Sequence, residues 1–488
     1  MIQDNVKIHD NFSLEIKSIY EILSEKKKTT YNTLTYLFIP NGLNINNQTY
    51  PKSKFYNDVK VYIRYNASEY TLDEILNVKT GPLHQLIKIV KKISGKKVSK
   101  KNKLEFESRV KMLGAILNNT LRTATLLLKN NRKSEIIKSI EYFNKLKKVL
   151  VIYRDLVLRI EALKVAEDLK NTIKYGDEYI SNIINYYLIV WLEFYKINNV
   201  DKEILKELIA FIKEEQTYRK LQNFDVTNSE DYFDEILFHK RSQLKKFIES
   251  VLFLNRDIRK DGAFFEQSIF AFAAGLAMVF STAVAFYYQQ IYGNFTLPFF
   301  IALVVGYMFK DRIKASIGLL FVSRASSFYH DFKIKIKDSG ANLIGIVKEN
   351  FTFVPFNKLG PKVKKHRLKN KFIAADYNFL GEQIIQYKKK IVIYPKKFGE
   401  EISDNRLNSI VDITRINLYR FTTQMDDPKK EYSLLKKGKI INRVGNRIYH
   451  INLIQKFYTE KGITFKRYLV IMNRKGIKRI EPIELDAL

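Results

Sequence analysis

Between Glu266 and Lys310 the chain carries no Asp, Glu, Lys or Arg for 43 residues, although 28% of its 488 residues are charged. So long an uncharged run needs a hydrocarbon environment or a protein interior to receive it. Its first part, Ser268–Tyr288, is 21 residues long, and a helix needs about 20 apolar residues to cross a bilayer. Gln289–Thr296 is polar, with Gly293-Asn294 suited to a tight reversal. Leu297–Phe309 follows, with Pro298 in a first helical turn where its missing N–H is no loss. Those 13 residues rise only about 20 Å against roughly 30 Å of hydrocarbon, and a start at Ile291 lengthens the segment to 19.

The pattern predicts a central two-helix transmembrane hairpin within residues 261–309, its helices over about 267–288 and 291–309. A hairpin that dips in without crossing, or one buried in a soluble core, are the alternatives. The loop at 289–296 has no Lys or Arg, while Arg256, Arg259 and Lys260 flank one side and Lys310, Arg312 and Lys314 the other. Positive flanks stay in the cytoplasm, so both termini are expected there, at the cytoplasmic (inner) membrane of a bacterium. The small residues Gly275, Ala277, Ser281 and Ala285 permit close helix approach, within the chain or in a homo-oligomer. No ionisable group lies inside either span, which argues against a transporter or pump.

Residues 1–260 read mainly as helix. Apolar residues recur at helical spacing over 104–129, 134–171, 203–221 and 231–259, and an all-α cytoplasmic bundle is expected. Residues 31–64 are turn-rich and aromatic, an irregular cap with one strand near Val59–Arg64. The eight lysines of Lys88–Lys103 read as a solvated basic linker. An amphipathic juxtamembrane helix is expected over 310–333. Beyond it the period becomes two: Asn446–Tyr458, Thr464–Met472 and Ile477–Pro482 alternate and are separated by turns, an antiparallel meander. Residues 334–488 therefore read as a basic antiparallel β domain, sandwich-like or barrel-like, with one helix around Ala374–Gln386.

The net charge is +33, and 38 of the 84 Lys and Arg lie from Lys310 onward against only 17 of the 51 Asp and Glu. Such a field favours polyanions, an acidic lipid surface above all. The candidate anionic-surface contacts are Lys310, Arg312 and Lys314, and the dense run Lys362, Lys364, Lys365, Arg367, Lys369 and Lys371. The chain has no cysteine, which excludes disulfides, thiolate metal sites and a cysteine nucleophile. Phosphate-binding glycine motifs, HExxH and GxSxG are absent, and the six histidines lack metal-ligand spacing. No catalytic residue, cofactor or metal is assigned. His330-Asp331 reads as a helix end, and Asp426-Asp427-Pro428 as a polar turn. The expected function is that of a non-enzymatic, membrane-anchored binding or scaffold protein facing the cytoplasm, which engages a protein partner, acidic in character, or the anionic membrane surface. A membrane-associated enzyme acting on a phosphorylated or acidic substrate is the alternative. Nucleic-acid binding at the membrane comes third, because no recognition helix or RNP-like motif is present.

Overall fold

The computed structural model describes residues 3–94, 98–129, 140–198, 201–224, 233–325, 329–338, 340–368, 381–398, 406–459 and 462–484. The chain forms two compact units. One comprises Met1–Ile63, Leu254–Phe398 and Val411–Leu488, and the other Arg64–Phe253 with Gly399–Ile410.

The first unit is a β structure drawn from both ends of the chain. Its strands are β1 Gln3–Ile8, β2 Ser13–Glu21, β3 Thr29–Pro40, β4 Val59–Tyr65, β5 Asn255–Lys260, β6 Phe332–Lys337, β7 Leu343–Phe353, β8 Glu382–Ile393, β9 Ser409–Asn417, β10 Lys429–Lys436, β11 Lys439–Asn446, β12 Tyr449–Thr459, β13 Gly462–Asn473 and β14 Gly476–Ile483. Eight of them form an antiparallel sheet in the order β14-β13-β12-β3-β8-β7-β6-β5, four form a second sheet in the order β1-β2-β9-β4, and β10-β11 stand as a separate pair. Leu14, Ile16 and Ile416 of the smaller sheet pack on Leu37, Ile39, Ile385, Leu453 and Val470 of the larger, the apolar layer of a sandwich. The other face of the large sheet, with Tyr36, Phe38, Ile384 and Ile454, is covered by Leu359 and Val363. Central strands with both faces covered lose the polar alternation of a half-exposed strand. Leu37, Phe38 and Ile39 of β3 are accordingly all fully buried.

Helices are α1 Lys52–Asp58, α2 Leu72–Leu76, α3 Pro82–Ile93, α4 Lys100–Lys129, α5 Ile140–Ala162, α6 Glu167–Ile197, α7 Lys202–Leu221, α8 Phe233–Glu249, α9 Ala263–Tyr292, α10 Leu297–Ala325, α11 Pro361–Leu368 and α12 Tyr419–Thr422. The second unit is the bundle α2–α8. Phe106, Val110, Leu113, Leu117 and Leu121 of α4 are buried on one side of that long helix, and Trp191 of α6 donates its indole N–H to Thr125 Oγ1 at 2.8 Å.

Several expectations are corrected. The all-α region at 1–260 is not one: its first 65 residues supply β1–β4, and β3 lies at the centre of the large sheet between β12 and β8. The expected irregular cap is thus core strand, and β5 replaces the end of the helix expected over 231–259. The two-helix transmembrane hairpin is also overturned. Among the described residues one helix, α9, is long and apolar enough to cross a membrane. The helix expected over 374–386 meets β8 from Glu382 onward, and its earlier residues to 380 lie outside the described residues. The C-terminal meander is present as β12-β13-β14. The juxtamembrane helix is the continuous second half of α10, and Lys88–Lys103 is mostly the ends of α3 and α4 rather than linker.

The bundle holds a buried ionic network. Arg154 Nη2 donates to both carboxylate oxygens of Glu215 at 2.8 and 2.9 Å, and Ser181 Oγ donates to Glu215 at 2.6 Å. Tyr218 donates to Asp177 at 2.5 Å. Burial, aided by the charge of Glu215, pushes the Asp177 carboxyl up from 3.8 to about 6. The folded state therefore holds this proton more tightly than the unfolded chain, so stability falls as pH rises through that interval. The shift is equivalent to about 3 kcal/mol at most. The bundle should melt at a higher temperature near pH 4 than near pH 7 as far as this group is concerned. Asp177→Asn should flatten that slope in a series of thermal melts.

Candidate membrane-contact site

The site is the antiparallel pair α9–α10 and the end of the large sheet from which it emerges. β5 runs into α9 and α10 returns to β6, with Lys260 paired to Phe332. The exit is pinned by Asp331, which accepts from Lys52 Nζ at 2.6 Å, Tyr56 Oη at 2.9 Å and the Phe351 N–H at 2.7 Å. Tyr329 Oη donates to Glu266 at 2.5 Å, closing the base of the pair. Gly262 turns the chain into α9 with φ +83°, and a Cβ there would stand 2.5 Å from the Tyr329 ring, so glycine is required on both counts.

The apolar side chains of α9 face outward. Only 11% of its most apolar window is buried, with Ala273 and Ala277 inside and Phe272, Val279 and Phe286 each more than 60% exposed. A core helix of a soluble protein shows the reverse.

The level at which α10 stands beside α9 explains why the second helix fails. Gly318 faces Phe270, and Gly306 faces Ser281 and Val284. Counting along both helices, Lys310, Asp311, Arg312 and Lys314 stand opposite the middle of the uncharged run of α9, around Ala274–Met278. Were both helices to cross, charges held at the bilayer centre would cost about 2.5–3.5 kcal/mol each. Beyond that charged girdle, Leu297–Phe309 extends for about 20 Å. At the tip Gln289 Nε2 donates to Asn294 Oδ1 at 2.8 Å, and the Gly293 N–H to Gln289 O at 2.9 Å.

The second run of candidate contacts divides. α11 lies between β7 and β8, whose facing ends belong to the same end of the sheet as the α9–α10 exit. Lys362 and Lys365 on it are exposed and Lys364 is half-buried. Arg367 is not a surface contact: it is fully buried, and its Nη2 and Nε donate to Glu382 at 2.5 and 3.1 Å. One turn of a basic helix reads as solvated in sequence, but its partner comes from the first residue of β8 and is invisible to local pattern. Lys369 and Lys371 lie outside the described residues.

Two features were missed. The first is the β10–β11 hairpin, whose lysines masked a period-two pattern. The second is a buried charge cluster between the two sheets. Lys389 Nζ donates to both oxygens of Asp412 at 3.0 and 2.8 Å and to Thr414 Oγ1 at 2.6 Å, with Glu349 3.6 Å away. Burial raises the Glu349 carboxyl above its ordinary range, against the pull of Lys389. The adjoining cavity is about 20 Å³, room for one water and too small for a phosphorylated or acidic substrate. The Lys389 ammonium is taken up by Asp412 and Thr414, and the cluster is an internal brace. Among the described residues no group of three or more His, Asp or Glu could hold a metal ion.

Comparison of the chain with protein-family models, with curated proteins and with solved structures finds no match, so the functional reading rests on this geometry.

Proposed function

We propose that this chain is a membrane-seated binding protein, anchored by α9 with the apolar half of α10 beside it. The observation that carries the reading is the outward-facing, uncharged surface of α9 beyond the charged girdle, where Val279, Phe286 and Ile291 are each more than half exposed. A helix whose large apolar side chains point away from its own protein needs hydrocarbon around it. The anchor enters from one side only. Lys310, Arg312 and Lys314 sit at headgroup level, where their ammonium and guanidinium groups meet lipid phosphates. The tip ends inside the bilayer, where Gln289 and Asn294 bond to each other, and both flanks of the pair stay on the same side, the cytoplasmic one. Exposed Lys362 and Lys365 add to the attraction for acidic lipid at that end.

The test is extraction of membranes from expressing cells. Detergent should release the full chain, whereas high salt and alkaline carbonate should leave it in the pellet. Release by carbonate alone would overturn the reading.

A further inference from the structure

Strands β10 and β11 pair with each other and, among the described residues, with no other strand. Their residues are exposed almost throughout, and a lone two-stranded ribbon is only marginally stable in water. Six Lys and Arg against one Glu lie within Lys429–Asn446. Cross-strand register puts Leu435 opposite Ile440, while Val444 lies opposite Glu431 on the same face. These three apolar residues are 76%, 74% and 59% exposed. The turn adds Lys436, Lys437 and Lys439 around Gly438, so the apolar tip is ringed by cations. The base is held by the Arg447 N–H donating to Pro428 O at 3.0 Å and by Tyr449 Oη donating to Asp426 at 3.1 Å.

The ladder fixes where this ribbon leaves the sheet. Lys260 of β5 pairs with Phe332, Phe332 with Glu349, Phe353 with Ile385, Glu382 with Pro40, and Phe38 with Asn452. The start of β12, into which β11 leads, is therefore at the same end of the ladder as the exit of α9. We propose that the β10–β11 ribbon is a second membrane contact, specific for acidic lipid, whose Leu435, Ile440 and Val444 enter the headgroup boundary while Lys436, Lys437 and Lys439 bind lipid phosphates. The inference rests on the anchored reading above. Apolar residues ringed by lysines are the composition that lipid interfaces select. A protein strand adding to the ribbon edge would use backbone groups and would not need the three lysines.

Because the chain lacks cysteine, a nitrobenzoxadiazole label can be placed at one site of the full protein. Leu435→Cys reports the ribbon and Phe295→Cys the tip of the α9–α10 pair, both in phosphatidylcholine vesicles with and without one-third phosphatidylglycerol. The expected result is that the 435 label blue-shifts and is quenched by nitroxide lipids only with phosphatidylglycerol, while the 295 label is lipid-buried in both. Lys436→Glu with Lys437→Glu and Lys439→Glu should lower the docked-to-free ratio of the ribbon by on the order of 100-fold. If the 295 label is in lipid and the 435 label stays in water in both vesicles, the ribbon inference fails and the anchor stands. If the 435 label enters neutral vesicles equally, or ignores the lysine changes, the acidic-lipid inference fails. If neither label meets lipid, both readings fail.

Discussion

Replacing Phe286 and Ile301 together by lysine is expected to abolish stable membrane attachment. The two side chains are 66% and 53% exposed on α9 and α10, beyond the charged girdle and therefore among the deepest in the proposed anchor. A lysine held at the bilayer centre costs about 2.5–3.5 kcal/mol, so the pair removes about 5–7 kcal/mol if the costs add. That is on the order of three to five factors of ten in the partition equilibrium. In a flotation assay the native chain should rise with vesicles at high salt and the double variant should stay in the dense fraction. Neither residue belongs to the packed cores of the sandwich or the bundle, so both should keep their native circular dichroism. Phe286→Leu with Ile301→Val, which keeps the surface apolar, should float normally.

Lys389→Ala is expected to destabilise the β sandwich by about 3–5 kcal/mol. The ammonium is the one cation within reach of both Asp412 and Glu349 among the described residues, and all three side chains are at most 6% exposed. Removing it leaves two carboxylates in a poorly solvated interlayer. The penalty carries a pH signature. Glu349 is already raised by burial, and loss of Lys389 removes the charge that opposes that rise. A carboxyl whose folded pKa exceeds its unfolded value favours folding below the unfolded value and loses that advantage as pH rises. The variant should therefore approach the native melting temperature below about pH 4 and fall progressively behind it above that. Lys389→Met with Asp412→Leu, which removes the closest pair and leaves only the raised Glu349 carboxyl behind, should recover part of the loss, because uncharged packing often matches a buried ion pair. Equal loss in the single and double variants would show that shape rather than charge is at stake.

The sequence carries the apolar character of α9 and the C-terminal meander plainly, because both are local: one is an uninterrupted composition, the other a period of two bounded by turns. What failed depends on neighbours that are distant in sequence. Thr29–Pro40 read as irregular because turn residues follow it, yet with both faces covered it becomes a central strand. Asn255–Lys260 has one apolar residue in six and owes its strand to edge pairing with β6. The length of Leu297–Phe309 counted as a span in one dimension; only beside α9 does the charged segment after it fall opposite the middle of the partner. Arg367 shows the same limit at the site, since the carboxylate that buries it lies 15 positions away. Lys310, Arg312 and Lys314 are legible as candidates because a charge run bordering an apolar run is itself a local signal. The β10–β11 ribbon hides the same combination within a lysine-rich background.

The anchored reading is tested most directly by the depth of single nitroxides on the full chain in lipid bilayers, attached at Leu320→Cys, Phe286→Cys and Phe295→Cys. The account predicts that oxygen relaxes the labels at 286 and 295 more than an aqueous nickel complex does. The label at 320, on the near side of the girdle, should respond to nickel added on the protein side. A label at 295 that is relaxed by aqueous nickel, from the protein side or from the opposite side, would contradict a tip that ends within the bilayer.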